Sequence, residues 1–220
     1  MNRIPVVLLA SLLSACASSG KSEGQKQVAE LTKRINELAA EIEKGKPEIE
    51  STIAEHDAIV NVADGDLIGH YRKFARGIER VEAQRERVRK AVYAVRAAAT
   101  PYYDHWRAET SRIEDDELRK TAQQRLMESR DRYTEVFHLG DQARESYEPL
   151  MARLRDHQIF WANDLNADSA VALKKDAEKV AAEAQKLYGL MDEVVTAARR
   201  YNETASMRAE PLPTAGPAPE

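Results

Sequence analysis

If this 220-residue chain folds back on itself near residues 64, 115 and 167, then His56, His70 and His157 fall at one end of the body that results, with Asp57 and Asp156 beside them. Imidazoles and carboxylates converging from facing helices are the donors with which helical bundles hold zinc or a similar ion. The paired Glu-x-x-His motifs of di-iron bundles are missing, and a histidine on an apolar seam also serves as a hydrogen-bonded polar layer that fixes helix alignment. Both readings of His56, His70 and His157 stay open at this point. Other chemistries have no residues to carry them: there is no G-x-x-x-x-G-K-[ST] loop, no G-x-S-x-G elbow and no H-E-x-x-H, and the glycines are scattered singly. No catalytic residue and no cofactor is expected, and the chain reads as non-enzymatic.

Two further groups invite functional readings. Tyr102, Tyr103, His105 and Trp106 cluster in sequence; Tyr102 and Trp106 keep the apolar seam, whereas Tyr103 and His105 leave it and are candidates for a partner-facing patch. VEAQRERVRK reads as a basic ridge, but its glutamates stand within helical reach of its arginines, so a solvated, salt-bridged face is expected.

The elements that must position these residues are all helical. From Leu67 the apolar positions Tyr71, Phe74, Ile78, Val81, Val88, Val92, Val95, Ala99, Tyr102, Trp106 and Ile113 recur in steps of three and four, with Arg85 on one seam site. A helix from about Asp66 to Ile113 is ~70 Å long, and Pro101 inside it predicts a kink. A first helix carries Val28, Leu31, Ile35, Leu38, Ile42 and Ile49, broken or bent at Gly45-Lys46-Pro47. A third runs from about Glu117 to Leu165 with a seam diluted by Ser129 and Gly140. A fourth carries Leu173, Val180, Leu187, Met191, Val194 and Tyr201. Asp66 and Asp168 are the expected N-caps of helices two and four. Short connections make neighbours antiparallel. The expected fold is all-α, an antiparallel long-helix bundle of four coiled-coil-like helices from which the helix-two/helix-three hairpin protrudes, with its tip near Asp115.

The N-terminus carries an address. Arg3, the apolar run from Ile4 to Leu13, and small Ser14 and Ala15 have the layout of a bacterial secretory signal, and the run is shorter than the ~20 apolar residues that a spanning helix needs. Leu13-Ser14-Ala15-Cys16 resembles the lipobox of bacterial lipoproteins. That resemblance implies removal of residues 1–15 and acylation of Cys16, the only cysteine of the chain. Several acyl chains together make such attachment effectively permanent. Ala17 follows the cysteine where an inner-membrane retention signal has Asp, which implies the outer membrane of a Gram-negative envelope. Residues 16–24 then form a lipidated tether, 25–204 the bundle, and 205–220, with four prolines, a disordered tail. The net charge of −4, more negative still once Arg3 is removed, comes with interleaved signs and no basic stripe, which argues against nucleic acid as a partner.

The stretches IVNVADGDLIGHYRKF, AVYAVRAAATPYYDHWRAE, LRKTAQQRLMESRDRY and YEPLMARLRDHQIFWANDLNADSAVALKKDAEKV are similar to the bacterial helical family catalogued as domain of unknown function 2959, over roughly residues 45–205. The resemblance implies a helical, coiled-coil-rich, secreted or lipid-anchored protein with no established activity; Pro101 departs from it. The expected role is that of a non-catalytic, lipid-anchored periplasmic scaffold, spacer or docking rod, with protein partners or self-association through its helices. The alternative is a ligand- or metal-binding bundle that uses the His56, His70 and His157 end.

Overall fold

The computed structural model of the protein describes residues 22–62 and 65–205. Cys16, residues 1–15 and most of the tether, as well as the tail beyond 205, lie outside the described residues. The chain forms α1 (Glu23–Val60), α2 (Leu67–Ser111), α3 (Asp116–Asn163), a short α4 (Ala167–Ala172) and α5 (Lys174–Ala205), with no strand among the described residues. The four long helices run alternately up and down. α1 packs between α2 and α5, and α3 packs against α5; of the neighbouring long helices, α2 and α3 pack least closely. Cross-helix ion pairs set the register: Glu48 with Arg80 at 2.8 Å, Lys46 with Asp192 at 2.8 Å, Glu82 with Arg155 at 2.6 Å and Glu183 with Arg153 at 3.0 Å.

Local chemistry sets the helix starts. Ser22 and Gln25 form a reciprocal capping box at α1, and the Asp66 and Asp115 carboxylates accept from the backbone N–H groups of Gly69 and Leu118. One alternative is decided and one expectation is corrected. Of the break or bend expected at Gly45-Lys46-Pro47 there is no break: α1 is a single helix through Pro47. Pro47, Pro101 and Pro149 are all exposed, so the backbone that each proline deprives of a hydrogen bond can open toward water and let the helix curve around the core. The expected fourth helix is two, and its N-cap is Asn166 rather than Asp168: the Asn166 side chain accepts from Ser169 N–H at 2.9 Å. The chain breaks helix at Leu173, whose carbonyl then receives the first α5 hydrogen bonds from Asp176 and Ala177. The break lets α4 bury Ser169 and Ala170 at the end of the bundle before α5 turns down its side.

The inner pair does outrun the outer pair. A Cβ on Gly24 would stand 3.4 Å from the His105 ring, so α1 begins level with His105 while α2 continues to Ser111, an overhang of about two turns. Pro101 lies inside the four-helix body, below that overhang. The N-terminal end of α1, the C-terminal end of α5 and the α2–α3 tip therefore share one end; the α1–α2 turn and α4 form the other.

α1 and α2 are tightly packed at Gly77. A Cβ there would meet the buried Thr52 side chain, with Oγ1 at 2.5 Å and two carbons at 3.1 Å, whereas a Cβ at Gly140 would meet nothing within 4 Å. Gly77→Ala is expected to destabilise the fold by ~1–3 kcal/mol through overpacking. Gly140→Ala, which only improves helix propensity, should stabilise it by ~0.5–1 kcal/mol. Urea denaturation of the two variants gives opposite signs if this packing is right.

Candidate functional site

Two polar-aromatic layers close the core, and an underfilled stretch lies between them. The first layer, at the α4 end, is built around two of the sequence-predicted histidines. His56 of α1 and His157 of α3 are buried, 1% and 5% exposed, because both occupy seam positions that face inward. His56 Nε2 lies 2.8 Å from His157 Nδ1, and His157 Nε2 lies 3.1 Å from Asp176 Oδ2 on α5. With the carboxylate as the terminal acceptor, His157 donates from Nε2, accepts at Nδ1, and receives the His56 N–H: a one-way chain from α1 through α3 to α5. Phe74 and Trp161 pack around the His56 ring at 5.5 and 5.2 Å. Burial, with the neighbouring His157 adding to it, pushes the His56 imidazole down to about 3. Hydrogen bonds from Lys179 and His157 hold the Asp176 carboxyl well below its ordinary value.

The third histidine does not join them. His70 Nδ1 lies 2.6 Å from Glu55 Oε2, on the α1–α2 flank. The predicted convergence thus holds for His56 and His157, while His70 turns to another face. No group of three or more His, Cys, Asp or Glu side chains among the described residues is arranged to hold a metal ion. The facing nitrogens of His56 and His157 are directed at each other, so the pair fits the alignment layer. Sequence reasoning missed Asp176, which had no seam role to mark it.

The second layer lies toward the α2–α3 tip. The Tyr103 hydroxyl donates to the Ser129 carbonyl at 3.0 Å and meets the Tyr201 hydroxyl at 3.1 Å. Tyr103 is therefore buried, and its expected place on a partner-facing patch is corrected: the looser seam at Ser129 leaves room for the ring, which packs against Tyr133 while its hydroxyl meets Tyr201 of α5. Burial raises the Tyr103 and Tyr201 phenols above their ordinary value. His105 and Trp106 stay half-buried.

Between the layers, where α2 and α3 stand apart, lies a cavity of about 400 Å³. Leu38 and Ile42 of α1, Val88 and Val92 of α2 and Leu187 and Met191 of α5 give it an apolar floor and walls. It extends from the level of Leu38 to that of Ile49, about 16 Å along the helices. On the α3 side the wall is thin, with Gly140 and Ala143 where larger side chains would close it. Its mouth follows the α2–α3 groove and carries Arg85, Arg89, Arg96 and Arg144, against a single lining carboxylate, Asp141. The ridge read as solvated is indeed salt-bridged in part: Arg85 reaches across to Glu148, Glu82 holds Arg155, and Arg89 pairs with Glu86.

A family model described as "Protein of unknown function (DUF2959)" matches the chain over residues 19–204. No curated protein and no solved structure was found to match it.

Proposed function

The chain belongs to this family of proteins of unknown function, and on that footing we propose that it is a non-catalytic, lipid-anchored envelope lipoprotein, a rod held at one end and docking a protein partner at the other. One observation carries the reading: the two ends differ. The tether that leads back to Cys16 enters at Ser22, beside the α2–α3 tip. Four of the seven exposed large apolar side chains among the described residues, Ile68, Ile159, Phe160 and Val171, lie within the last turns of the opposite end. Apolar side chains gathered at one end and left in water mark an interaction site more often than scattered ones do. α2 and α3, 45 and 48 residues long, separate the two ends by roughly 65 Å.

The proposed attachment is acylated Cys16 at the periplasmic face of the outer membrane, with residues 1–15 removed. No helix among the described residues is long and apolar enough to cross a membrane. The alternative of a metal or ligand held by His56, His70 and His157 gains no support from the geometry above. Replacing Cys16 by Ser is expected to move the protein from the membrane to the soluble fraction and to remove the acyl mass from its N-terminal peptide. Membrane retention of a Cys16→Ser protein from which residues 1–15 have nonetheless been removed would contradict the anchoring.

A further inference from the structure

We propose that the cavity between α2 and α3 is a binding site for a single acyl chain with an anionic head, such as a fatty acid or a lysophospholipid. The chain lies along the apolar slot, and the head rests at the arginines of the mouth. The inference is independent of distal docking, because the cavity lies mid-rod, away from Ile159 and Val171.

Shape comes first. The slot is about 16 Å long and lined mainly by apolar side chains, with the buried Gln84 held by Glu41, and its volume of about 400 Å³ falls within the range of small-molecule pockets. A linear chain fills such a slot where a compact ring system leaves its ends empty. The positions that would otherwise close it hold small residues: a side chain at Gly140 would enter open space, and Ala143 stands one turn on. The floor residues Leu38, Leu187 and Met191 are already buried, and water in the slot wets chiefly the half-buried Val88, Val92 and Phe137, whose exposure an acyl chain removes.

Charge decides the head. Arg96 lies over the Phe137 ring at 5.0 Å, and no carboxylate among the described residues forms an ion pair with it. Arg89 and Arg144 face each other's helices across the mouth, and their only carboxylates are same-helix neighbours, Glu86 and Asp141. Exposed pairs of that kind contribute little, so both guanidiniums can turn to a ligand carboxylate or phosphate, for which their planar fork is suited. Deeper in, the Tyr147 hydroxyl is buried without a hydrogen-bond partner, and Tyr147 lines the same cavity. Arg85 lies over its ring at 5.8 Å, beside the other guanidiniums of the mouth.

The test is calorimetric titration of the full chain with hexadecanoate, with a lysophosphatidic acid of the same chain length, and with hexadecanol, all below their aggregation limits. The expected result is saturable binding of one anionic ligand per chain with a dissociation constant in roughly the micromolar range, and binding of the alcohol at least tenfold weaker. Arg96→Glu should weaken the anions about tenfold and leave the alcohol unchanged. Gly140→Phe should abolish binding of all three while far-ultraviolet dichroism and the thermal midpoint show the fold retained; if that variant fails to fold, Ala143→Leu makes the same test. Tighter binding of the lysolipid would assign the anion to a lipid headgroup, and tighter binding of hexadecanoate to a free acid; either supports the site. Absence of saturable binding, equal binding of the alcohol, or a dimer that Arg96→Glu dissociates, which would make a second copy the cover of the groove, would each overturn it.

Discussion

Acidification from pH 6.5 toward 3 will destabilise this protein steeply, and buried His56 will account for much of the slope. The folded protein keeps His56 neutral down to about 3, while an unfolded histidine takes its proton near 6.5. Between those values the unfolded state binds the additional proton, so stability is complete above the window and falls as pH falls through it, by about 1.4 kcal/mol per pH unit. Asp176 adds a second loss at the acid end, because the contribution of its lowered carboxyl is complete above the ordinary carboxylate value of 3.8 and is lost as pH falls below it. Substitution separates the pair from its partners. His56→Leu leaves His157 Nδ1 buried opposite a hydrocarbon, which costs about 1–3 kcal/mol at neutral pH. The double replacement His56→Leu with His157→Leu removes both halves, leaves Asp176 to Lys179 and Arg153, and should be within ~1 kcal/mol of the parent. Urea titrations at several pH values check this; an acid slope that survives the double replacement would show that other groups carry it.

The second large effect belongs to Trp161. Its ring is 1% exposed and lies against Phe74 at 5.7 Å edge-on, His56 at 5.2 Å and His157 at 5.9 Å. Trp161→Ala empties the centre of that layer and should cost ~3–5 kcal/mol, lowering the thermal midpoint by on the order of 10 °C for a chain of this size. Trp161→Phe should be far milder, because the buried indole N–H has no acceptor in the structure, and its removal offsets part of the lost volume. If the two substitutions cost the same, the indole nitrogen has a partner that the geometry does not show, and the layer is built differently.

How legible all this was in the sequence follows from which physical signal each feature leaves. The helices were legible because an apolar seam at steps of three and four leaves an unambiguous period: Leu31, Ile35 and Leu38 on α1, or Leu187, Met191 and Val194 on α5, face inward as read. The meeting of His56 and His157 was legible because both sit on or beside seams and the turns fix the register to within a turn or two. The role of His70 was not, since an error of one residue rotates a helical side chain by about 100°, enough to move it from the His56 face to the Glu55 flank. The split at Leu173 left no period to read, because α4 is too short to have one. Tyr103 illustrates the opposite failure: its spacing put it off the seam, and it is buried by the space at Ser129 and by its contact with Tyr201 of α5. The cavity left a trace that was noticed without being understood, the dilution of the third seam at Gly140. A sequence shows that a seam is thin; whether the neighbouring helix moves in to fill it or stands away is decided by packing of all four helices.

The rod account makes its central claim about the two ends, and site-specific photocrosslinking in cells tests that most directly. A photoreactive residue at Ile159 or Val171 is expected to yield a discrete protein adduct that Phe160→Glu diminishes, whereas the same probe at exposed Met127, near the tethered end, yields none of that adduct. The same adduct at both ends, or none at Ile159 and Val171, would contradict a rod that is anchored at one end and works at the other.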